Sequence, residues 1–207
     1  EIKNSDICIS AGGDNYCYKA SEWLYTIDQT VKKEKKKLVL WGASLYEELD
    51  DVKLINDMDL FDLLVIRESI SYNELKKYID PNKLLLMPDP AFSLEKEEFE
   101  LDDWYKNKKV VGINLSPITI PNPKKDDQRF KAVLNLINYI LEKTNYSISL
   151  ISHVTTEDCN DLDTLTKIYE EYKDNNRVFL EQGNYNCNQI KYNQWNQFFH
   201  LIICQRL

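Results

Sequence analysis

Three short apolar runs end in residues able to bind or move charge. Gly12-Gly13-Asp14-Asn15 follows DICISA, Arg67 follows LLVI and His153 follows ISLIS. A planar guanidinium suits a phosphate or a carboxylate. An imidazole at a strand end can serve as acid, base or phosphate donor. Two glycines permit a tight turn, and a helix beginning after them would offer free N–H groups to an anion or polar ligand. Asn114 and Ser116 close VVGINLS and would project from the same kind of edge, and Arg206 follows the last apolar run. Each also has a plain structural reading. Asp14 and Asn15 are good helix caps, Arg67 can pair with Glu68 or another carboxylate, Asn114 and Ser116 can cap a strand end, and His153 can be a satisfied structural histidine. Asp89-Pro90 reads as a turn in which Asp89 caps or accepts from a ligand hydroxyl. His200, inside an apolar run, reads as structural.

Composition removes several chemistries. The 207 residues hold 26 Lys and Arg against 34 Asp and Glu, a formal net charge of -8. That balance argues against nucleic acid as a partner, which requires positive charge along the phosphate backbone. The Lys32–Lys37 run reads as a solvated helix end, favoured by the helix dipole. Gly12-Gly13 is not a Gly-x-Gly-x-x-Gly pattern and no Walker lysine accompanies it, so it is a weak sign of nucleotide binding. The five cysteines are scattered without a Cys-x-x-Cys pair. No metal or cofactor is expected, and the cysteines read as reduced and mostly core. No apolar run approaches the roughly 18 residues of a membrane span. Glu1 to Asp6 is polar, unlike a signal peptide, so a cytoplasmic protein is expected.

Strands and helices must alternate to position these residues. Asp6–Ala11, Leu38–Ser44, Leu63–Ile66 and Leu84–Met87 read as strands, with helices over Tyr18–Lys33, Asp51–Asp59 and Ser69–Ile79 between them. Trp23, Leu24, Ile27 and Val31 are spaced for one face of the first helix, and Ser69 or Ser71 would cap the third. After a proline-containing acidic stretch the alternation restarts. Strands are expected over Val110–Leu115, Ser147–Ser152, Val178–Leu180 and Phe198–Cys204, and helices over Asp126–Lys143, Asp161–Tyr172 and Cys187–Trp195. Continuous apolar strands alternating with helices imply an α/β protein with parallel sheets covered on both faces. The expected domains are 1–93 and 109–207, with 94–108 as linker. Ligands of such sheets bind beyond the strands' carboxyl ends.

Six segments in order resemble the polysaccharide pyruvyl transferase family. They are Ser10–Tyr16, Leu40–Ser44, Val65–Tyr72, Pro88–Phe92, Val111–Pro117 and Ser152-His153-Val154. The resemblance implies two Rossmann-like domains facing each other in a glycosyltransferase B-type arrangement. It implies transfer of pyruvate from phosphoenolpyruvate onto a saccharide hydroxyl as a ketal, in synthesis of bacterial cell-surface or cell-wall polymers. The partners would be phosphoenolpyruvate and a saccharide or lipid-linked sugar, the latter bringing peripheral membrane association. Arg67 and Arg206 would bind the donor's anionic groups, His153 would support catalysis and Asp14 would contact a sugar hydroxyl. Arg206-Leu207 matches the first two residues of the family's Arg-Leu-His motif, whose histidine would lie beyond this chain. The second domain is thus expected to be incomplete, as is the first, which lacks the family's opening strand; activity would belong to a longer protein. The alternatives are a glycosyltransferase with a nucleotide-sugar donor and a non-catalytic α/β relative.

Overall fold

The structure, a computed structural model, describes residues 1–17, 22–45, 51–117, 119–120, 126–156, 159–183, 185–195 and 199–203. The chain divides into two compact units, Glu1–Leu94 and Glu95–Leu207. In unit 1, β1 (Ile7–Ala11), β2 (Lys37–Ala43), β3 (Leu63–Ile66) and β4 (Leu84–Leu86) form a four-stranded sheet in that order, and every pair is parallel. Between them run α1 (Glu22–Lys33), α2 (Val52–Leu60) and α3 (Ser69–Leu75).

Strands added one after another in one direction, by crossovers of one hand, put every helix on the same face. The core of unit 1 accordingly joins Leu24 and Val31 of α1, Leu54 and Met58 of α2 and Leu75 of α3 to Leu38, Leu40, Leu64 and Ile66. Among the described residues the opposite face is largely exposed, contrary to the expectation of two covered faces. Ile9, opposite Val39 on β2, is 59% exposed, and Trp41, Val65 and Leu85 align across β2, β3 and β4 with Trp41 and Leu85 exposed. The buried stripe of α1 also differs from the expected one. It carries Leu24, Tyr25, Asp28 and Val31, while Trp23 and Ile27 face solvent. An aspartate has taken an inward position that the apolar pattern assigned to its neighbour.

The basic run after α1 is tied down at two lysines. Lys32 and Lys37 bond the two oxygens of Asp62 at 2.8 and 3.0 Å, and Leu38 N–H donates to the same carboxylate at 2.9 Å. Burial opposes ionisation there, but these donors outweigh it and hold Asp62 far below the ordinary carboxylate range.

Unit 2 contains β5 (Val110–Leu115), α4 (Gln128–Lys143), β6 (Ser147–Leu150), the short antiparallel pair β7 (Thr155–Thr156) and β8 (Cys159–Asn160), α5 (Asp161–Glu170), β9 (Val178–Leu180), α6 (Cys187–Trp195) and β10 (Phe199–Ile203). Its parallel sheet has the order β10-β5-β6-β9. The strand order therefore reverses at β5, which lies between the first crossover and the last. Ile148 and Leu150 of β6 face α4 and α5, among Phe130, Ile137, Leu165 and Ile168.

The alternate residues Ser147 and Ser149 face the other way, and there residues 95–108 of the expected linker belong to the unit. Trp104 stacks on Phe179 of β9 at 4.9 Å between ring centroids. The Tyr105 hydroxyl meets Ser149 Oγ at 2.6 Å and donates to Glu181 at 3.1 Å. Aromatic side chains supply enough apolar area to convert an acidic stretch into a sheet cover. Burial pushes the Tyr105 hydroxyl strongly up, so it stays a donor. Tyr105→Phe would deprive buried Glu181 of a donor and should lower the unfolding free energy by about 1–3 kcal/mol. Urea denaturation at neutral pH reads this directly, and an unchanged midpoint would show that the network does not hold the sheet cover.

Candidate active site

In unit 1 one polar group from the end of each strand converges on a single guanidinium. Arg67 follows β3, and its Nε donates to Ser44 Oγ, just after β2, at 2.9 Å. Its Nη1 donates to Asp89, beyond β4, and its Nη2 to Asp14, beyond β1, each at 2.7 Å. The Arg67 side chain is 19% exposed, Asp89 31% and Asp14 61%, so Asp14 is the partner nearest solvent.

Local chemistry explains why the chain turns so tightly here. A Cβ on Gly13 would lie 1.9 Å from Arg67 Nη1, so only glycine lets the guanidinium sit over this turn. Gly42 has φ +69 and faces the Pro90 ring, whose Cδ would lie 2.6 Å from an added Cβ. Its bulge shifts the β2–β3 register just before Ser44. Pro90 in turn follows Asp89, whose other oxygen accepts from Ala91 N–H at 2.9 Å. Burial alone would raise the Asp89 carboxyl, but the Ala91 amide and Arg67 outweigh it and hold it below the usual range. Cys17 donates to the Gly13 and Ser44 carbonyls at 3.4 and 3.3 Å. Burial, then the charge of Asp14, push its thiol up to about 11 against the pull of Arg67, so it is no nucleophile at neutral pH.

Of the expected unit 1 residues, Gly12, Gly13, Asp14 and Arg67 are brought together. Asn15 turns back, donating to Ser10 Oγ and the Ala11 carbonyl at 3.2 and 3.3 Å. Arg67 pairs with distant carboxylates and not with Glu68. Glu68 caps α3, accepting from Ile70 and Ser71 N–H at 2.6 and 3.0 Å, in place of the expected serines. Ser71 Oγ instead accepts from Leu45 N–H at 2.9 Å.

In unit 2 the corresponding edge is organised by a residue the sequence pattern did not single out. Asp161, 1% exposed, opens α5. Its Oδ2 accepts from Asn114 Nδ2 at 2.9 Å and from His153 and Val154 N–H, each at 3.0 Å. Asn114 also donates to the Ile151 carbonyl at 2.9 Å and is 3% exposed, so it braces β5 to β6 and does not project toward a ligand. Ser116 is likewise buried, and its carbonyl accepts from Thr119 and Ile120 N–H. His153 is half-buried. Burial lowers its pKa against the charge of Asp161, which favours the neutral imidazole at pH 7. The reversal of strand order places the crevice of this sheet beyond the carboxyl ends of β5 and β10. Ile203 of β10 pairs with Leu115 at that edge, and Arg206, three residues further on, lies outside the described residues. Among the described residues no group of three or more His, Cys, Asp or Glu could hold a metal ion, and no helix is long and apolar enough to cross a membrane.

A family model described as polysaccharide pyruvyl transferase matches residues 2–202. The chain belongs to that family. No curated protein matches it. Among solved structures it is similar to the UDP-GlcNAc 2-epimerase of Methanocaldococcus jannaschii, with a TM-score of 0.56 and 14% identity over 95% of this chain and 55% of that one. The likeness shows the Rossmann-like α/β fold, and the chain spans about half the length of the epimerase. The unit 1 cluster lies at the edge where all four strands of its sheet end.

Asp161 is the firmest test of the unit 2 edge. Asp161→Ala leaves the buried Asn114 amide and the part-buried His153 and Val154 N–H groups without this acceptor. The expected loss by urea denaturation is about 1–3 kcal/mol, the cost of the buried donor, against little change for Asp163→Ala on the exposed side of α5. Equal effects of the two variants would contradict the bracing role.

Proposed function

We propose that the protein transfers pyruvate from phosphoenolpyruvate to a saccharide, and that Arg67 receives an anionic group of the donor. The observation that carries this reading is the Arg67 cluster. Its guanidinium is fixed from behind by Ser44 and Asp89, while its outward partner Asp14 is largely in water. A phosphate or carboxylate can replace Asp14 and take up a fork-like pair of N–H donors. Asp14, once released, stands beside the donor and can accept from a sugar hydroxyl.

The chemistry asks for little beyond positioning and charge. Protonation of the enol methylene carbon makes the central carbon oxocarbenium-like. One sugar hydroxyl adds there and loses its proton to a base. A second hydroxyl then displaces inorganic phosphate to close the ketal. The proton donor must have a pKa near the working pH, and the phosphate needs cationic neighbours. His153 is a candidate base for the sugar hydroxyl's proton because burial favours its neutral form. Arg206 is the candidate second cation. A cytoplasmic site supplied with phosphoenolpyruvate, and an acceptor that is a lipid-linked sugar destined for the cell surface, complete the reading.

Thermal denaturation of the full-length protein tests it. A ligand at about 100 times its Kd stabilises by about 2.7 kcal/mol, a shift of several degrees for a domain of this size. Phosphoenolpyruvate should raise Tm, inorganic phosphate should raise it less, and Arg67→Ala should abolish the rise. A rise with a nucleotide-sugar and none with phosphoenolpyruvate would replace this reading with glycosyl transfer. No rise with either would point to a non-catalytic relative.

A further inference from the structure

Behind the Arg67 cluster, two carboxyl groups are buried together, and among the described residues no cation is bonded to either. Asp28 of α1 is 2% exposed and Asp57 of α2 is 4% exposed. Tyr16, fully buried, donates its hydroxyl to Asp28 Oδ2 at 2.5 Å. Neither oxygen of Asp57 receives a hydrogen bond from a donor group of another residue, yet the Asp57 carboxyl lies within hydrogen-bonding reach of Asp28. Two carboxylates in contact repel, and the same contact becomes a hydrogen bond when one proton is shared between them.

Among the described residues nothing else neutralises the pair. The cation there whose charge acts on Asp57 is Lys53 of α2, but its ammonium is held by Glu22 of α1 and lies 4.7 Å from the Tyr25 ring centroid. Asp51 caps α2 through Lys53 N–H, Ser10 of β1 lies near the Tyr16 hydroxyl, and Phe61 meets the Tyr16 ring edge-on at 6.2 Å. Tyr16 is also the end of the site's turn. It bridges to Leu45, and three residues earlier the Gly13 carbonyl accepts from Ser44 N–H at 3.0 Å.

We propose that Asp28 and Asp57 are positioning residues that share one proton and, through the Tyr16 hydroxyl, hold the Gly12–Tyr16 turn against Arg67. Loss of the shared proton sets two buried charges against each other, parts α1 from α2 and slackens the turn. The consequence for donor binding rests on the reading of Arg67 as an anion site; the proton pair itself does not. Burial, then the charge of Asp28, raise Asp57 to about 7, and burial raises Asp28 as well. Unfolded, each carboxyl titrates at about 3.9. The folded state therefore holds the extra proton between about pH 4 and 7, and the pair's contribution to stability is greatest below that window and falls as pH rises through it.

The test compares native full-length protein with Asp57→Asn, whose amide donates to Asp28 at every pH. Urea denaturation between about pH 5 and 8 should show native stability falling toward pH 8, with a flatter profile in the variant. Alkylation of Cys17 by iodoacetamide, followed by peptide mapping, reads the turn without any ligand. The thiol pinned against the Gly13 and Ser44 carbonyls becomes reactive only when the turn slackens, so the ratio of native to variant rates should rise several-fold above about pH 7. Carbon-13 NMR titration of the native aspartate carboxyls guards against a variant that fails to fold, and one midpoint near 7 is expected. Parallel stability profiles with a constant alkylation ratio, or aspartates all titrating below about pH 5, would overturn the proposal. Phosphoenolpyruvate affinity at about pH 8 should be higher in Asp57→Asn than in the native protein. Absence of phosphoenolpyruvate binding at every pH would sink the donor reading alone, since the ligand-free measurements decide the proton pair.

Discussion

A parallel ladder makes every strand of a sheet finish at the same edge, and that constraint assembles the site. In unit 1 the residues just past β1, β2, β3 and β4 contribute Asp14, Ser44, Arg67 and Asp89, and all four meet at one guanidinium. No two of the partners of Arg67 are close in sequence. They converge because each crossover returns the chain to the starting edge and each strand carries it forward again. The same constraint gathers Asn114 past the middle of β5, the backbone at His153 after β6 and Glu181 after β9 in unit 2. Glycine is required wherever these crossing points bring backbone against a side chain, as Gly13 does under Arg67 and Gly42 does under Pro90.

How each of these carboxylates is solvated separates scaffold from device. Glu181 accepts from the hydroxyls of Tyr105 and Tyr185 and from Gly183 N–H. The donor-bonded oxygen of Asp161 accepts from one amide side chain and two backbone amides. Asp62 has two lysines and a backbone amide. Each of these has its charge met by fixed donors and braces loops permanently. Among the described residues Asp57 has no such donor, so its protonation state must do what donors do elsewhere. A charge left uncompensated in the interior costs far more than a bridging hydrogen bond contributes, and a proton is the smallest group that removes the difference.

The alternation of elements was readable in the sequence because the apolar runs of parallel strands are short, continuous and bounded by glycine or proline. LLVI and LLLM mark β3 and β4 within a residue or so. Arg67 and the Gly-Gly-Asp turn were readable as site residues because they stand immediately after such runs. What escaped was whatever depends on residues far apart. Ser44 and Asp89 become partners of Arg67 only through register, and Asp161 looks like any acidic residue at a helix start until Asn114 and His153 are folded beside it. Asp28 broke the apolar pattern of α1 for a similar reason, since its partners lie on other elements. Residues 94–108 read as a connector because their acidic composition outweighs Trp104 and Tyr105 by count, though not by buried area.

The three bonds of Arg67 also determine which of them a ligand would exchange. With Asp14 and Asp89 both bound, the cluster carries a net negative charge, so an incoming anion must displace a carboxylate and not add to the pair. Asp89 is a poor candidate to leave. It is braced by Ala91 N–H and by Pro90 packed on Gly42, and its ionised form is favoured where it stands. Asp14 is 61% exposed, and an ion pair that open to solvent holds by about 0–1 kcal/mol. Its release therefore costs little, while Ser44 and Asp89 keep the guanidinium plane in place for the newcomer. Orientation is fixed by the partners that stay, and exchange is confined to the one that faces water.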